Sequence, residues 1–107
     1  MRAARLGLGL LAVAAAPAMA AETFLQVANR SNLTIMEIYA SPAGKGTWDE
    51  DLLVARVLPR GETGTFVIPE RRPGCTYDLR LVFENGREAV QATDACSGRG
   101  HVVREAP

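Results

Sequence analysis

The chain has 107 residues, with 12 basic and 12 acidic side chains, so its formal net charge is zero at neutral pH. The basic residues are scattered, and Arg71 and Arg72 are the only adjacent pair. The chain therefore lacks the basic stripe that nucleic-acid binding requires, and its length is that of one small domain.

The first 20 residues have the composition of a secretory signal peptide. Arg2 and Arg5 form a short basic n-region, residues 6–16 are apolar, and Ala18-Met19-Ala20 is a small-x-small cleavage site. The apolar run is shorter than the roughly 20 residues that span a membrane, and a buried N-terminal helix is the alternative. We expect a cleaved signal peptide over 1–20 and a periplasmic or secreted domain over 21–107, without a membrane span. The Ala, Gly and Arg usage indicates a bacterial source.

Alternating apolar and polar residues predict about seven short strands with turn signals between them. The predicted strands are 24–28, 33–40, 55–58, 63–68, 75–84, 87–96 and 101–104. Residues 33–40 are apolar at both odd and even positions, which indicates a central strand with two buried faces. The pattern is typical of an all-β fold, and we predict a small antiparallel β-sandwich.

A loop over 41–46 precedes the one predicted helical turn. Thr47 and Glu50 have the spacing of a capping box, with Thr47 as N-cap, and the turn is expected to continue to Leu53. The segment 29–32 is interpreted as a turn, although it contains two glycosylation sequons.

The segment from Cys75 to Cys96 predicts a hairpin closed by a disulfide. Asn85-Gly86 is the strongest short signal for a two-residue type I′ turn, because that turn needs positive φ at both positions. With this turn the only two cysteines lie directly opposite each other. A bulge near Glu88 is the alternative that would shift the register. The predicted inner face consists of Tyr77, Leu79, Leu81, Phe83, Val90 and Ala92.

The sequence holds no arrangement that is typical of an active site. The single histidine, His101, lies close to the C-terminus, and it does not have zinc-site spacing with Cys75 and Cys96. We therefore expect a non-catalytic protein without a cofactor.

Residues 49–51 are the best candidate for a metal site. Asp49 and Asp51 follow a glycine-containing loop whose carbonyl groups could supply further oxygen ligands to Ca²⁺. We favour the other interpretation, in which they form the acidic first turn of a capped helix. A calcium-binding protein or a metal-dependent enzyme is thus the alternative function.

Trp48, Arg71 and Arg72 are the candidate partner-binding residues. Trp48 would either plug one end of the sandwich, which we favour, or form an exposed platform for a sugar or a partner side chain. The arginine pair would bind an anion or lie in a solvated loop. We expect a binding module of the cell envelope, with a protein or glycan partner recognised through residues 41–51 and 69–74.

Several short motifs resemble a family of small secreted bacterial β-domain proteins of uncharacterised function. The matching elements are Asn29-x-Ser31, Ile35, Tyr39-Ala-Ser-Pro42, Trp48-x-x-Asp51-Leu-Leu53, Leu58-Pro-x-Gly61-Glu62, Cys75-x-Tyr77-Asp-Leu-Arg80, Phe83-x-x-Gly86 and Cys96. They cover most of the chain after residue 20, although several members have Gly at the position of Asp49. The resemblance implies a small β-domain after a signal peptide, and it carries no activity or catalytic residue.

Overall fold

Two three-stranded sheets make up the regular structure of the part of this chain that the structure describes. The computed structural model describes residues 23–68 and 74–107. The strands are β1 (Thr23–Asn29), β2 (Ile35–Pro42), β3 (Thr63–Ile68), β4 (Thr76–Phe83), β5 (Glu88–Asp94) and β6 (His101–Val103). One sheet has the order β3-β1-β6 and the other β2-β4-β5, and all pairs are antiparallel except β1 with β6. The all-β prediction is therefore confirmed, with six strands rather than seven.

The predicted signal peptide and the Arg71-Arg72 pair lie outside the described residues. Within the described ranges, no helix has the length and apolar character needed to cross a bilayer.

The core lies between the two sheets. The central strands supply much of it, because alternate side chains of a strand point to the same face. These side chains are Leu25 and Val27 of β1, and Tyr77, Leu79, Leu81 and Phe83 of β4. Ile35, Ile38, Leu53, Leu58, Ile68 and Val103 complete the core. Each such burial stabilises the fold by about 1.5–3 kcal/mol. The burial of these four β4 side chains confirms the inner face predicted for this strand.

β2 lies at an edge of its sheet, so its predicted central position is wrong. Apolar residues occupy both odd and even positions of β2 because the strand contains a bulge. Ile35 pairs with Phe83 and Glu37 pairs with Val82, which leaves Met36 as an extra residue. The bulge allows Ile35 and Ile38, which are an odd and an even position, to be buried in the same core.

The β4–β5 hairpin is shifted by one residue from its predicted register. The N–H of Phe83 donates to the carbonyl of Arg87, and the N–H of Gly86 donates to the carbonyl of Phe83. Gly86 has φ +81°, so the loop is a type I turn followed by a left-handed glycine. Leu81 consequently pairs with Ala89 instead of Val90. Val90 and Ala92, which were predicted to face the core, are exposed instead.

The disulfide between Cys75 and Cys96 forms in spite of this shift, which confirms the predicted bridge. Cys75 lies opposite Ala95, whose N–H donates to the Cys75 carbonyl over 2.8 Å. The Cα atoms of the two cysteines are 5.2 Å apart, a distance that a disulfide spans readily. Asp94 accepts a hydrogen bond from the Cys96 N–H, which closes a local turn at the end of β5.

Neither the helical turn predicted after Thr47 nor the strand predicted over 55–58 forms. The N–H of Thr47 donates to the hydroxyl of Ser41 over 3.0 Å, so Thr47 anchors a loop instead of capping a helix. Val54 and Ala55 have φ values of 50° and 65°, which no strand accommodates. Leu58 makes only an isolated bridge with Ile35.

A buried asparagine joins the end of β1 to two loops. The side-chain amide of Asn29 donates to the carbonyls of Leu33 (2.8 Å) and Leu58 (3.0 Å). Its oxygen accepts from the N–H of Ser31 (3.1 Å) and from the Ser31 hydroxyl (2.7 Å). The backbone N–H of Asn29 donates to Glu62, and its carbonyl accepts from Gly61. The predicted turn over 29–32 is therefore built around Asn29, which has no exposed surface.

We expect the double substitution Cys75→Ser with Cys96→Ser to lower the free energy of unfolding by about 2–4 kcal/mol, because the bridge restricts the unfolded chain. Urea unfolding followed by circular dichroism measures this loss. Reduction of the unmodified protein should give the same loss, since it opens the same bond. An unchanged urea midpoint would contradict the prediction.

Candidate binding surface on the outer face of the β2-β4-β5 sheet

A chain of polar contacts crosses all three strands on the outer face of the β2-β4-β5 sheet. Tyr39 of β2 pairs with Arg80 of β4, and the Arg80 guanidinium lies 5.0 Å from the centroid of the Tyr39 ring. Arg80 also donates two hydrogen bonds to the carboxylate of Glu88 on β5, over 2.9 and 2.8 Å. The Tyr39 hydroxyl donates to Glu37 over 2.6 Å. These contacts hold the Arg80 side chain across the sheet in one orientation.

The hydrogen bonds of this network also set the protonation of its members. The bond to Glu37 raises the pKa of Tyr39, so the phenol stays neutral. The bond from Arg80 lowers the pKa of Glu88, so the carboxylate stays charged. An ion pair that is open to solvent adds little to stability, so its main effect is to orient the side chains.

The register shift of the hairpin places apolar side chains beside this network. Val90 pairs with Arg80 and is 58% exposed, and the exposed Ala92 pairs with Asp78. A single exposed apolar residue is ordinary, but Tyr and Arg next to it are the residue types that dominate binding energy at protein interfaces. The sequence alone does not indicate this surface, because the predicted two-residue turn places Val90 and Ala92 in the core.

The loop after β2 is fixed onto the same sheet. The Ser41 hydroxyl accepts from the Thr47 N–H and lies 3.1 Å from the Thr47 hydroxyl. The N–H of Gly44 donates to the carboxylate of Asp78, which pairs with Ser41 in the sheet. Trp48 follows directly. It is half-buried, and its role as a plug of the sandwich or as an exposed platform stays a prediction.

Asp51 covers the free edge of β2. Its Oδ1 accepts from the N–H groups of Ile38 and Leu53, each over 3.0 Å, and the N–H of Leu52 donates to the Ile38 carbonyl. One carboxylate oxygen is therefore occupied by backbone donors. Asp49 is exposed on the preceding loop, and calcium binding there stays a prediction.

In the part of the chain that the structure describes, one group of three potential metal ligands comes together. It consists of Cys75, Asp94 and Cys96. Both sulfur atoms are oxidised in the disulfide, so they cannot bind a metal as thiolates.

His101 connects the two sheets on the side where β5 and β6 meet. Its Nε2 lies 2.7 Å from the amide oxygen of Gln91, which accepts the Nε2 proton. The side chain is half-buried, and this burial lowers the pKa of His101. The contact is structural, since it joins residues that face the interior between the sheets.

Comparison with protein-family profiles, with characterised proteins and with solved structures gives no significant match to this chain.

We expect the stability of the fold to fall on acidification because of His101. Burial lowers its folded-state pKa below the ordinary value of 6.5, so the unfolded chain takes up the proton first as the pH falls through that value. His101→Gln should lose less stability than the unmodified protein between about pH 7.5 and about pH 5. Urea midpoints of both proteins across this range measure the difference. Parallel pH profiles would contradict the prediction.

Proposed function

We propose that this chain is a non-catalytic binding module of the cell envelope. It recognises a protein or glycan partner through the outer face of the β2-β4-β5 sheet and the adjoining loop, residues 43–50. The observation that carries the proposal is the exposed Val90 beside an Arg80 that is stacked on Tyr39 and fixed by Glu88. This combination presents an apolar contact, an aromatic edge and an oriented charge on one rigid sheet.

The geometry of this surface supports binding more than catalysis. The polar side chains on it bond to one another: Glu37 accepts from Tyr39, and Glu88 accepts from Arg80. A catalytic acid or base instead needs a free position toward its substrate, in a site that excludes water. An open sheet face suits a second surface that is equally flat.

The disulfide supports a location outside the cytoplasm, because such bridges persist in oxidising compartments. Together with the signal-peptide composition of residues 1–20, it favours the periplasm or the extracellular space. The resemblance to small secreted bacterial proteins agrees with this proposal.

The proposal is tested by capture of partners from an envelope extract with the immobilised protein. Val90→Glu should lower capture at least about ten-fold, because a central apolar contact is replaced by a charge. Val102→Glu is the matched control, since Val102 is an exposed valine on the other sheet, and it should leave capture unchanged. Both variants should keep the melting temperature, because both side chains are exposed.

Co-sedimentation with insoluble cell-wall polysaccharide distinguishes a glycan partner from a protein. Equal capture by the unmodified protein and Val90→Glu would contradict the proposed surface. A loss of capture that is the same for Val102→Glu would contradict it as well.

A further inference from the structure

β3 is an uncharged strand at the edge of its sheet. Its sequence, Thr-Gly-Thr-Phe-Val-Ile, contains no charged residue and no proline, the devices with which proteins usually block an exposed edge. The edge of β2, by contrast, is covered by Asp51 and Leu52. Among the described residues, no comparable segment bonds to the outer edge of β3.

The register with β1 shows which backbone groups of β3 point away from β1. Asn29 donates its N–H to the carbonyl of Glu62, so position 62 is hydrogen-bonded to β1. Hydrogen-bonded positions alternate along an antiparallel strand, so positions 64, 66 and 68 also turn toward β1. Thr63, Thr65 and Val67 consequently direct their N–H and carbonyl groups to the open edge.

A groove of about 580 Å³ lies between this strand and the loop that precedes it, and the charged residues Arg56 and Glu62 line it together with apolar residues. Leu52, Val54, Val57 and Leu58 line it from the loop, and Gly64 and Phe66 line it from β3. Val54 is 75% exposed and Val57 is 45% exposed. A strand that paired with β3 would therefore direct its inward side chains into this groove, where they would meet the apolar residues of the loop.

We propose that the occupant of this edge is β3 of a second copy of the chain, paired antiparallel about a two-fold axis at Thr65. In this register Thr65 lies opposite Thr65 of the second copy, and Thr63 lies opposite its Val67. All of the outward backbone groups then find partners. On the inner face Gly64 lies opposite Phe66 of the second copy, and the Phe66 ring of the same copy covers Gly64.

Charge and side-chain chemistry favour a second copy over an unrelated strand. Glu62 lies opposite Ile68 of the second copy, so the two Glu62 carboxylates lie about 20 Å apart along the paired β3 strands. Cross-strand pairs of Thr with Thr, as at Thr65, are favourable in antiparallel sheets. The pairing uses the opposite sheet from the proposed partner surface, so both surfaces function independently.

Cysteine cross-linking tests the two-fold register. The two natural cysteines form a disulfide, so an added thiol is the only free one. Thr65→Cys should give a covalent dimer on a non-reducing gel, because opposed Cα atoms of a hydrogen-bonded pair lie about 5.5 Å apart. Gln26→Cys is the matched control. Gln26 pairs with Thr65 on the same face, but three strand spacings, about 14 Å, separate it from its copy.

A mixture of Thr63→Cys and Val67→Cys should also cross-link, whereas each variant alone should stay monomeric on the gel. This result would fix the register as well as the edge. Cross-linking of Gln26→Cys at the rate of Thr65→Cys would overturn the proposal, because it would indicate random collision.

Sedimentation velocity over a wide concentration range tests the same pairing of the two β3 strands without cross-linking. The unmodified protein should pass from monomer to dimer, Thr65→Lys should stay monomeric, and Gln26→Lys should still dimerise. A protein that is monomeric throughout would overturn the proposal, as would a dimer that Thr65→Lys leaves intact. If Thr65→Lys fails to fold, the cross-linking of Thr65→Cys still decides the question.

Discussion

The buried side chain of Asn29 holds the end of the sandwich where the chain passes between its two sheets. The chain leaves the β3-β1-β6 sheet through residues 30–34, and it returns to this sheet through residues 58–62. Asn29 bonds to both connections through the carbonyls of Leu33 and Leu58. A buried amide without partners would cost about 2–7 kcal/mol, so this one is tolerated only because all of its polar atoms are bonded.

The disulfide fixes the other end of the same structure. Phe83, at one end of β4, pairs with Ile35 close to the Asn29 end, whereas Cys75 lies just before the opposite end of β4. Between these two points β4 supplies the most continuous part of the core. Its outward residue Arg80 is thereby held against Tyr39, so the rigidity of the candidate binding surface derives from the packing beneath it.

Local signals in the sequence were sufficient for the strand faces but not for the pairing of β4 with β5. Alternation predicts that Leu79 and Leu81 are buried, whichever strand lies beside them. The turn at Asn85-Gly86 fits both a two-residue and a three-residue loop, and this one-residue difference exchanges the two faces of β5. The disulfide forms despite this difference, because Cys75 and Cys96 bridge diagonally across the hairpin. Val90 therefore lies at the candidate site on the outer face, whereas the predicted register places it in the core.

Other features depend on contacts that no local pattern contains. The capping-box spacing at Thr47 is genuine, but the buried Ser41 hydroxyl binds Thr47 instead. Asn29 was recognisable as part of a turn, yet its bond to Leu58 joins residues 29 positions apart. The resemblance motifs included Tyr39 and Arg80, but only the sheet register shows that they meet.

The most direct test of this account is the urea unfolding of Asn29→Asp at neutral pH. The substitution keeps the shape of the side chain and replaces the NH₂ donor by an oxygen that faces the carbonyls of Leu33 and Leu58. We expect the free energy of unfolding to fall by about 2–4 kcal/mol, because two buried acceptors lose their donor and a charge is buried beside them. The same change at the exposed Asn32 should cost less than about 0.5 kcal/mol. An Asn29→Asp protein as stable as Asn32→Asp would contradict the central role of Asn29.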